Sequence, residues 1–485
     1  MRVLMVRVSQ PIPVKTSSPP LGPLWLSTAI KRDFGGDVDV RIHDSRNEKK
    51  PLDALSRLVA DYRPDVVGLS ALFGEQKGVA LSADVVRGAH SATHVVAGGP
   101  LATVDRACAF DSPAVDAAIL GEAEYSFPRY LRNLFSKRHA DAIPGVATRG
   151  DLDQPETVSE APQDLDALGF PDWSSIRFKD YLAVNSMNGM VQAGRRVAPV
   201  MTSRGCPYHC TYCHNLMGRR MRARSTDHVL EEIDILVRDH RVDEIQFVDD
   251  IWNYDRRRVL EFCEKIAARP YKIHIAFPNG VRGDLLDKEQ IDALKRAGCY
   301  NLTFAVESGS DRVQKLLKKA LKPERLMESI RYASSIGILT KGYFIIGFPT
   351  ETAEEIEKTV QLAVESKLNL ASFFTFTPFP KTPLYDLAAA ELGERIKDLD
   401  YDYYPKHSFY ALATGRDLSV TQKRAYRRFF SPRRLLRLVT ASTRPFLLFA
   451  SFTRLSARIT AGEYYRRLLF RRRMDTDAVA QAATV

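Results

Sequence analysis

Long apolar runs are missing from this 485-residue chain, and no stretch reaches the roughly 20 residues that a bilayer-spanning helix needs. The N-terminus, Met1-Arg2-Val3-Leu4-Met5-Val6-Arg7-Val8, lacks the apolar core of a signal peptide and reads as a first strand. Cysteine is scarce, with six in all, which does not suit the disulfide framework of a secreted protein. A reducing cytoplasm is the expected compartment. Charge of one sign is also absent from most of the chain, although the formal net charge is +11. Thr421 to Arg473 holds 15 Lys and Arg against one acid, Glu463, and so carries +14, leaving −3 for the rest. With 45% hydrophobic and 27% charged residues, the composition is that of a globular protein of two or three domains.

Three of the six cysteines are scattered: Cys108, Cys263 and Cys299 are expected as buried small hydrophobes. The other three share one short run, Arg204-Gly205-Cys206-Pro207-Tyr208-His209-Cys210-Thr211-Tyr212-Cys213. Iron–sulfur clusters are normally held by four thiolates. Three at spacing C-x3-C-x2-C can ligate three irons of a four-iron cluster and leave the fourth open to a reacting ligand. The competing reading is zinc, with His209 or His214 as a fourth ligand.

The chain is expected to divide at 1–150, 151–195, 196–392 and 393–485. Short apolar runs at 3–8, 38–42, 66–69, 95–97 and 117–120 alternate with helical patterns, which predicts a doubly wound, Rossmann-like parallel sheet. A polar, proline-containing stretch from about 150 to 171 reads as a linker. A second alternating series has candidate strands at 198–203, 244–248, 272–277, 300–306, 339–346 and 371–376. Six such units make a partial (β/α)6 barrel with its chemistry at the carboxyl ends of the strands. The three-cysteine loop follows the first of them. Beyond 393 the pattern becomes helical, aromatic and then basic.

From 197 to 384 the motifs and their order resemble the radical S-adenosylmethionine (SAM) superfamily. The resemblance implies that Cys206, Cys210 and Cys213 ligate a [4Fe-4S] cluster whose open iron takes SAM. It places Tyr212 beside the adenine, with a packing role as the alternative. Phe247-Val248-Asp249-Asp250 offers Asp249 or Asp250 to the SAM ammonium, unless either caps the next helix. Arg282, ending Phe277-Pro278-Asn279-Gly280-Val281-Arg282, meets the SAM carboxylate or is a surface arginine. Glu307 or Ser308, in Glu307-Ser308-Gly309, bonds to the ribose or methionyl part. Gly342 and Gly347, in Gly342-Tyr343-Phe344-Ile345-Ile346-Gly347-Phe348-Pro349-Thr350-Glu351, let backbone approach the adenine. Pro378-Phe379-Pro380-Lys381-Thr382-Pro383-Leu384 carries Lys381 where the family has glycine.

The N-terminal half resembles the domain that the cobalamin-dependent radical SAM group places before its barrel. Ser70-Ala71-Leu72 follows the third candidate strand and Gly98-Gly99 the fourth. Such residues leave a slot for the cobalamin tail, and the serine hydroxyl can donate to its nitrogen. Gly121 and Glu122, in Gly121-Glu122-Ala123-Glu124, match the same group. The Asp-x-His-x-x-Gly whose histidine ligates cobalt in mutases is missing. The alternative is a sheet that has lost the cofactor or binds a nucleotide.

Together these features resemble class B radical SAM methyltransferases. The implied activity is transfer of a methyl group from SAM, via methylcobalamin, to an unactivated carbon of a small-molecule or lipid-like substrate. A cobalamin-dependent cyclase or other radical rearrangement stays open. Implied partners are the substrate and an electron donor such as flavodoxin or ferredoxin, with no nucleic acid. Arginines alternating with Leu and Phe beyond 421 suit either a peripheral membrane contact or helices packed on the barrel.

Overall fold

The computed structural model describes residues 1–9, 18–136, 142–181, 192–399, 401, 407–432 and 434–435. The first sheet comprises β1 (Arg2–Arg7), β2 (Asp39–Asp44), β3 (Val66–Ser70), β4 (His94–Gly98), β5 (Ala117–Ile119) and β6 (Val146–Ala147), in the order β2-β1-β3-β4-β5-β6. Five strands are parallel, and β6 is a short antiparallel edge paired with β5. Both faces are covered, as parallel sheets require. On β1, Leu4 and Val6 enter one core with Val67 and Leu69, while Val3 and Met5 enter another with Ile30 and Phe127.

The second half opens with β7 (Val197–Val200), then β8 (Ser203–Arg204) and β9 (Arg222–Ala223), which pair with each other, and β10 (Glu244–Phe247). β11 (His274–Val281), β12 (Cys299–Glu307), β13 (Leu339–Ile346) and β14 (Leu370–Thr375) complete a six-stranded parallel sheet in the order β14-β13-β12-β11-β10-β7. Helices cover its outer face. Ile245, Phe247, Ile275, Phe277, Leu302 and Phe304 supply the sheet side of the main core. Helix starts are fixed locally, as at Thr352 and Asp287, whose side chains form capping boxes with Glu355 and Gln290.

β11 runs four residues beyond the expected end at 277, through Pro278, Asn279 and Gly280, with a register shift against β12 before Val281. Proline and glycine in a strand mark such irregularities, so the sequence pattern ended early there. The polar stretch between the halves is packed against both. Leu168, Trp173 and Phe178 are buried, Asp172 accepts from Ser27 and Lys31 at 2.6 Å, and the Trp173 indole donates to Glu232 at 3.0 Å.

The helix Ser419–Phe429 closes the free edge at β14. Its Tyr426 hydroxyl takes the Phe373 N–H at 3.1 Å, its Gln422 amide meets the Phe373 carbonyl at 3.0 Å, and Ala425 and Phe429 are fully buried. An unpaired strand edge is thereby covered. The start of the basic segment is thus packed on the barrel, and positions 436–473 lie outside the described residues. Among the described residues no helix is long and apolar enough to cross a membrane.

Candidate functional site

A cavity of about 410 Å³ lies where the carboxyl ends of the first sheet face the barrel. Ser70, Leu72, Gly98, Gly99, Gly121 and Glu122 all line it, and β7, the turn after it and the end of β10 contribute Pro199, Met201 and Val248. Glycine is required where the walls come closest. A Cβ on Gly99, at φ +84°, would stand 2.8 Å from the Ala71 carbonyl oxygen, and one on Gly121, at φ +87°, 3.3 Å from the Ser159 nitrogen. Ser70 uses its carbonyl for the Val8 N–H and Arg7, while its hydroxyl makes no hydrogen bond among the described residues. Narrow glycine walls and a free hydroxyl suit a flat heterocycle bearing an acceptor nitrogen, so these residues fit cobalamin.

The cysteine loop begins directly after β8. Gly205 sits at φ +87°, and a Cβ there would fall 2.4 Å from the Arg220 carbonyl, so the loop folds back on itself through that glycine. The turn is tied by Cys206 N–H to the Gly218 carbonyl at 3.0 Å and by the Asn215 amide to the Cys206 carbonyl at 3.1 Å. Thr211 then anchors it, bonding backbone to backbone with Leu317 and Leu384 at 3.0 and 3.1 Å. All three thiols are free, and burial raises the pKa of each, with Cys206 adding to the rise at Cys210 and both of them adding to it at Cys213. Among the described residues no three His, Cys, Asp or Glu side chains converge to hold a single metal ion. His214 packs its ring on Phe73 and Phe379. Three free thiols on one glycine-bent loop fit the donor set of a cluster with an open iron.

The two acids after β10 have different surroundings. Asp249 is buried, and one of its oxygens accepts from the Thr202 N–H, the Thr202 hydroxyl and the Ser203 hydroxyl at 3.1, 2.7 and 2.6 Å. It ties β10 to the turn before β8. Asp250 is exposed and accepts from the Gly205 N–H at 3.1 Å, beside the cysteine loop. Asp250 thus lies beside the cysteine loop, while Asp249 is engaged by Thr202 and Ser203 through one oxygen.

Arg282 is buried and committed. Four of its five N–H groups go to Asp284 and to the carbonyls of Lys319 and Ala320, and its guanidinium lies 3.9 Å from the Tyr208 ring centroid. It braces the cysteine loop through Tyr208. Glu307, in the left-handed region at φ 68°, accepts from the Tyr212 hydroxyl at 2.9 Å and Lys319 at 2.7 Å. Tyr212 is thus tied to the end of β12. Ser308 is buried, and its hydroxyl bonds to that of Thr359 on the helix Ala353–Glu365 at 3.1 Å. Gly347, at φ +83°, turns the side where a Cβ would stand toward Leu418 and Tyr410. Lys381 takes φ 63°, the left-handed conformation that favours glycine, and its ammonium pairs with Glu156 in the connecting segment.

The site also contains residues that sequence reasoning passed over. Arg204, the residue before Gly205, reaches Glu122 at 2.6 Å and Glu124 at 2.7 Å, and Arg222 on β9 pairs with the same Glu122. All four side chains are at most 8% exposed. Burial opposes the Arg204 charge, but Glu124 and Glu122 outweigh it and raise the pKa. The loop after β3 makes a second contact, with Phe73 edge-on to His214 and Phe379 at 5.7 Å each. The two loops that line the cavity thus both grip the cysteine loop. The available signal was the pair of acids at 122 and 124 set against an arginine adjoining the cysteine motif.

Comparison with known proteins agrees with this geometry. Residues 200–363 match the radical SAM superfamily model and residues 12–131 the B12 binding domain model. An uncharacterized methyltransferase of Pyrococcus horikoshii is 28% identical over 384 residues, covering 78% of this chain and 80% of that protein. The cytidylyl-2-hydroxyethylphosphonate methyltransferase of Streptomyces wedmorensis is 32% identical over 364 residues, 67% of each chain. In fold, the chain is similar to the radical SAM methyltransferase TsrM of Kitasatospora setae, with a TM-score of 0.65, 18% identity, and coverage of 81% of this chain and 76% of that one. The chain belongs to the cobalamin-dependent radical SAM superfamily and is a methyltransferase-like enzyme within it.

Proposed function

We propose that this enzyme methylates an unactivated carbon of a small-molecule or lipid-like substrate. Residues 1–150 hold cobalamin, 196–392 hold the cluster and SAM, and an external reductant such as flavodoxin or ferredoxin supplies electrons. The observation that carries this reading is the shared cavity, since Ser70, Leu72 and Gly99 line it together with Pro199, Met201 and Val248 from the barrel. Bound in this way, the cluster and SAM supply radical chemistry and cobalamin supplies the methyl group.

The chain's own residues orient and enclose. Cys206, Cys210 and Cys213 would hold the cluster through their thiolates, and Asp250, which accepts from the Gly205 N–H, would hold the SAM ammonium. Ser70 donates its hydroxyl within the slot between the loops after β3 and β4. Tyr212, Glu307 and Lys319 fix the far side of the loop. Arg204 and Arg222 exclude water from the join of the two halves by burying their charges against Glu122 and Glu124.

Anaerobic reconstitution with iron, sulfide, hydroxocobalamin and SAM tests the reading. Cobalamin retained by the protein, 5′-deoxyadenosine that depends on reductant, and S-adenosylhomocysteine formed with substrate are the expected results. Deoxyadenosine without retained cobalamin would overturn it, and a cyclised product without S-adenosylhomocysteine would favour the ring-closing alternative. Alanine at Cys206, Cys210 and Cys213 abolishes SAM cleavage. For the basic segment we propose peripheral contact with an anionic membrane surface. Truncation after Leu435 keeps the helix Ser419–Phe429, and it should weaken binding to anionic liposomes.

A further inference from the structure

A lysine turned into a barrel lumen and partly buried there, with no carboxylate beside it, is costly unless something else supplies the counter-charge. Lys341 on β13 is such a residue. Alternation along β13 sends Phe344 and Ile346 into the packed outer side, where both are fully buried, and leaves Lys341, Tyr343 and Ile345 half-buried on the other face. That face looks into the barrel. Tyr343 reaches across β12 and donates its hydroxyl to the Pro278 carbonyl on β11 at 2.7 Å. The Lys341 ammonium lies 3.4 Å from the Tyr343 hydroxyl oxygen and 4.7 Å from the centre of its ring.

Among the described residues this ammonium meets no carboxylate. The glutamates at the start of β10 and the end of β12 are occupied elsewhere. Glu244 holds the Ala193 and Gly194 N–H groups, Gln246 and the Tyr300 hydroxyl, and Glu307 holds Lys319 and Tyr212. Burial alone pulls Lys341 down to about 8. Phe374 on β14 stands edge-on to the Tyr343 ring at 5.4 Å and is 44% exposed, an apolar wall on the same face. A cation short of its anion, a hydroxyl and an aromatic wall thus share one side of the lumen.

We propose that Lys341, with Tyr343 and Phe374, is a binding site for the anionic group of the substrate, a carboxylate or a phosphonate carried on an apolar or aromatic body. The ammonium supplies a charge-assisted hydrogen bond, and Phe374 packs against the body. The identification of the anion as substrate rests on the methyl-transfer reading, whereas the anion site itself does not.

The test is equilibrium dialysis of the reconstituted holoenzyme, without reductant, against benzoate and phenylphosphonate. At least one probe should bind, and Lys341→Met should weaken it about tenfold or more while Lys341→Arg retains most of the affinity. The preferred probe separates a carboxylate from a phosphonate ligand. Equal affinity in Lys341→Met, or no binding of either probe, would overturn the proposal. So would a loss of S-adenosylhomocysteine affinity with anion binding unchanged. Protection of Lys341 from acetic anhydride by the same probes, read on wild-type protein by peptide mass spectrometry, keeps the test independent of how the variant folds. Lys341-dependent anion binding in an enzyme that forms no S-adenosylhomocysteine with any substrate would remove the methyl-transfer reading alone.

Discussion

Glu351 holds the turn after β13, with one carboxylate oxygen accepting from the Gly347 N–H at 2.6 Å and the Phe348 N–H at 3.0 Å. Its other oxygen has no partner among the described residues. Burial raises the carboxyl to about 7, with Glu355 pushing the same way and the two N–H groups and Arg312 opposing. The folded state therefore keeps a proton that the unfolded chain has released. This contribution is complete at low pH and is lost as pH rises from the ordinary 4.5 through about 7. A shift of this size corresponds to roughly 3 kcal/mol. Glu351→Gln keeps an acceptor for the two N–H groups and should flatten the fall of Tm between these pH values; an unchanged slope would refute the assignment. At Gly99 the positive φ and the Ala71 carbonyl combine. Gly99→Ala should cost about 1–3 kcal/mol of local strain and release cobalamin, measured as cobalt content, while cluster absorbance persists.

Residues whose role is a local pattern were legible, such as the three cysteines and the Gly98-Gly99 pair. Residues whose role depends on a distant partner were not. Nothing near Arg282 in sequence announces the carbonyls of Lys319 and Ala320 that occupy it. A lysine in a strand looks like any solvated residue until neighbouring strands show which way its face turns, as at Lys341.

At the scale of elements, the loops after β3 and β5 grip the loop after β8 from two sides. The grip after β5 is ionic and the one after β3 is aromatic, so they respond differently to change. Removing one partner of a buried ion pair costs about 3–5 kcal/mol because the other charge is left behind. Glu124→Gln or Glu122→Gln should lower Tm and reduce cluster and cobalamin content together, since each acid serves both halves. Loss of cobalamin with full cluster content would show that the arginines do not need these acids. Phe73→Leu should be milder, costing about 1 kcal/mol.

Elements were read well where apolar runs were unbroken, which covers β1, β3 and β13. The two-residue pair β8 and β9 carries too little pattern to be seen, although it positions both arginines. The connecting stretch was read as a linker from its polarity and prolines. Its few large residues, Leu168, Trp173 and Phe178, are enough to bind it to the core, and composition averages such residues away.

For the whole molecule, a mostly parallel sheet and a parallel one share one cavity, and the segment between them is packed on both. The halves should therefore unfold together. A single calorimetric transition is expected for the holoenzyme, with equal van't Hoff and calorimetric enthalpies, and two separable transitions would contradict it. Expressing 196–485 without the first sheet should give an insoluble product, because Arg204 and Arg222 would then lose Glu122 and Glu124.

The same four charges constrain how such enzymes are assembled from parts. If a foreign cobalamin domain replaced residues 1–150 of this chain, Arg204 and Arg222 should stay buried only where that domain brings acids to the places of Glu122 and Glu124. The quartet would then act as a compatibility key between the two halves, and a hybrid lacking either acid should fold poorly before any substrate is offered.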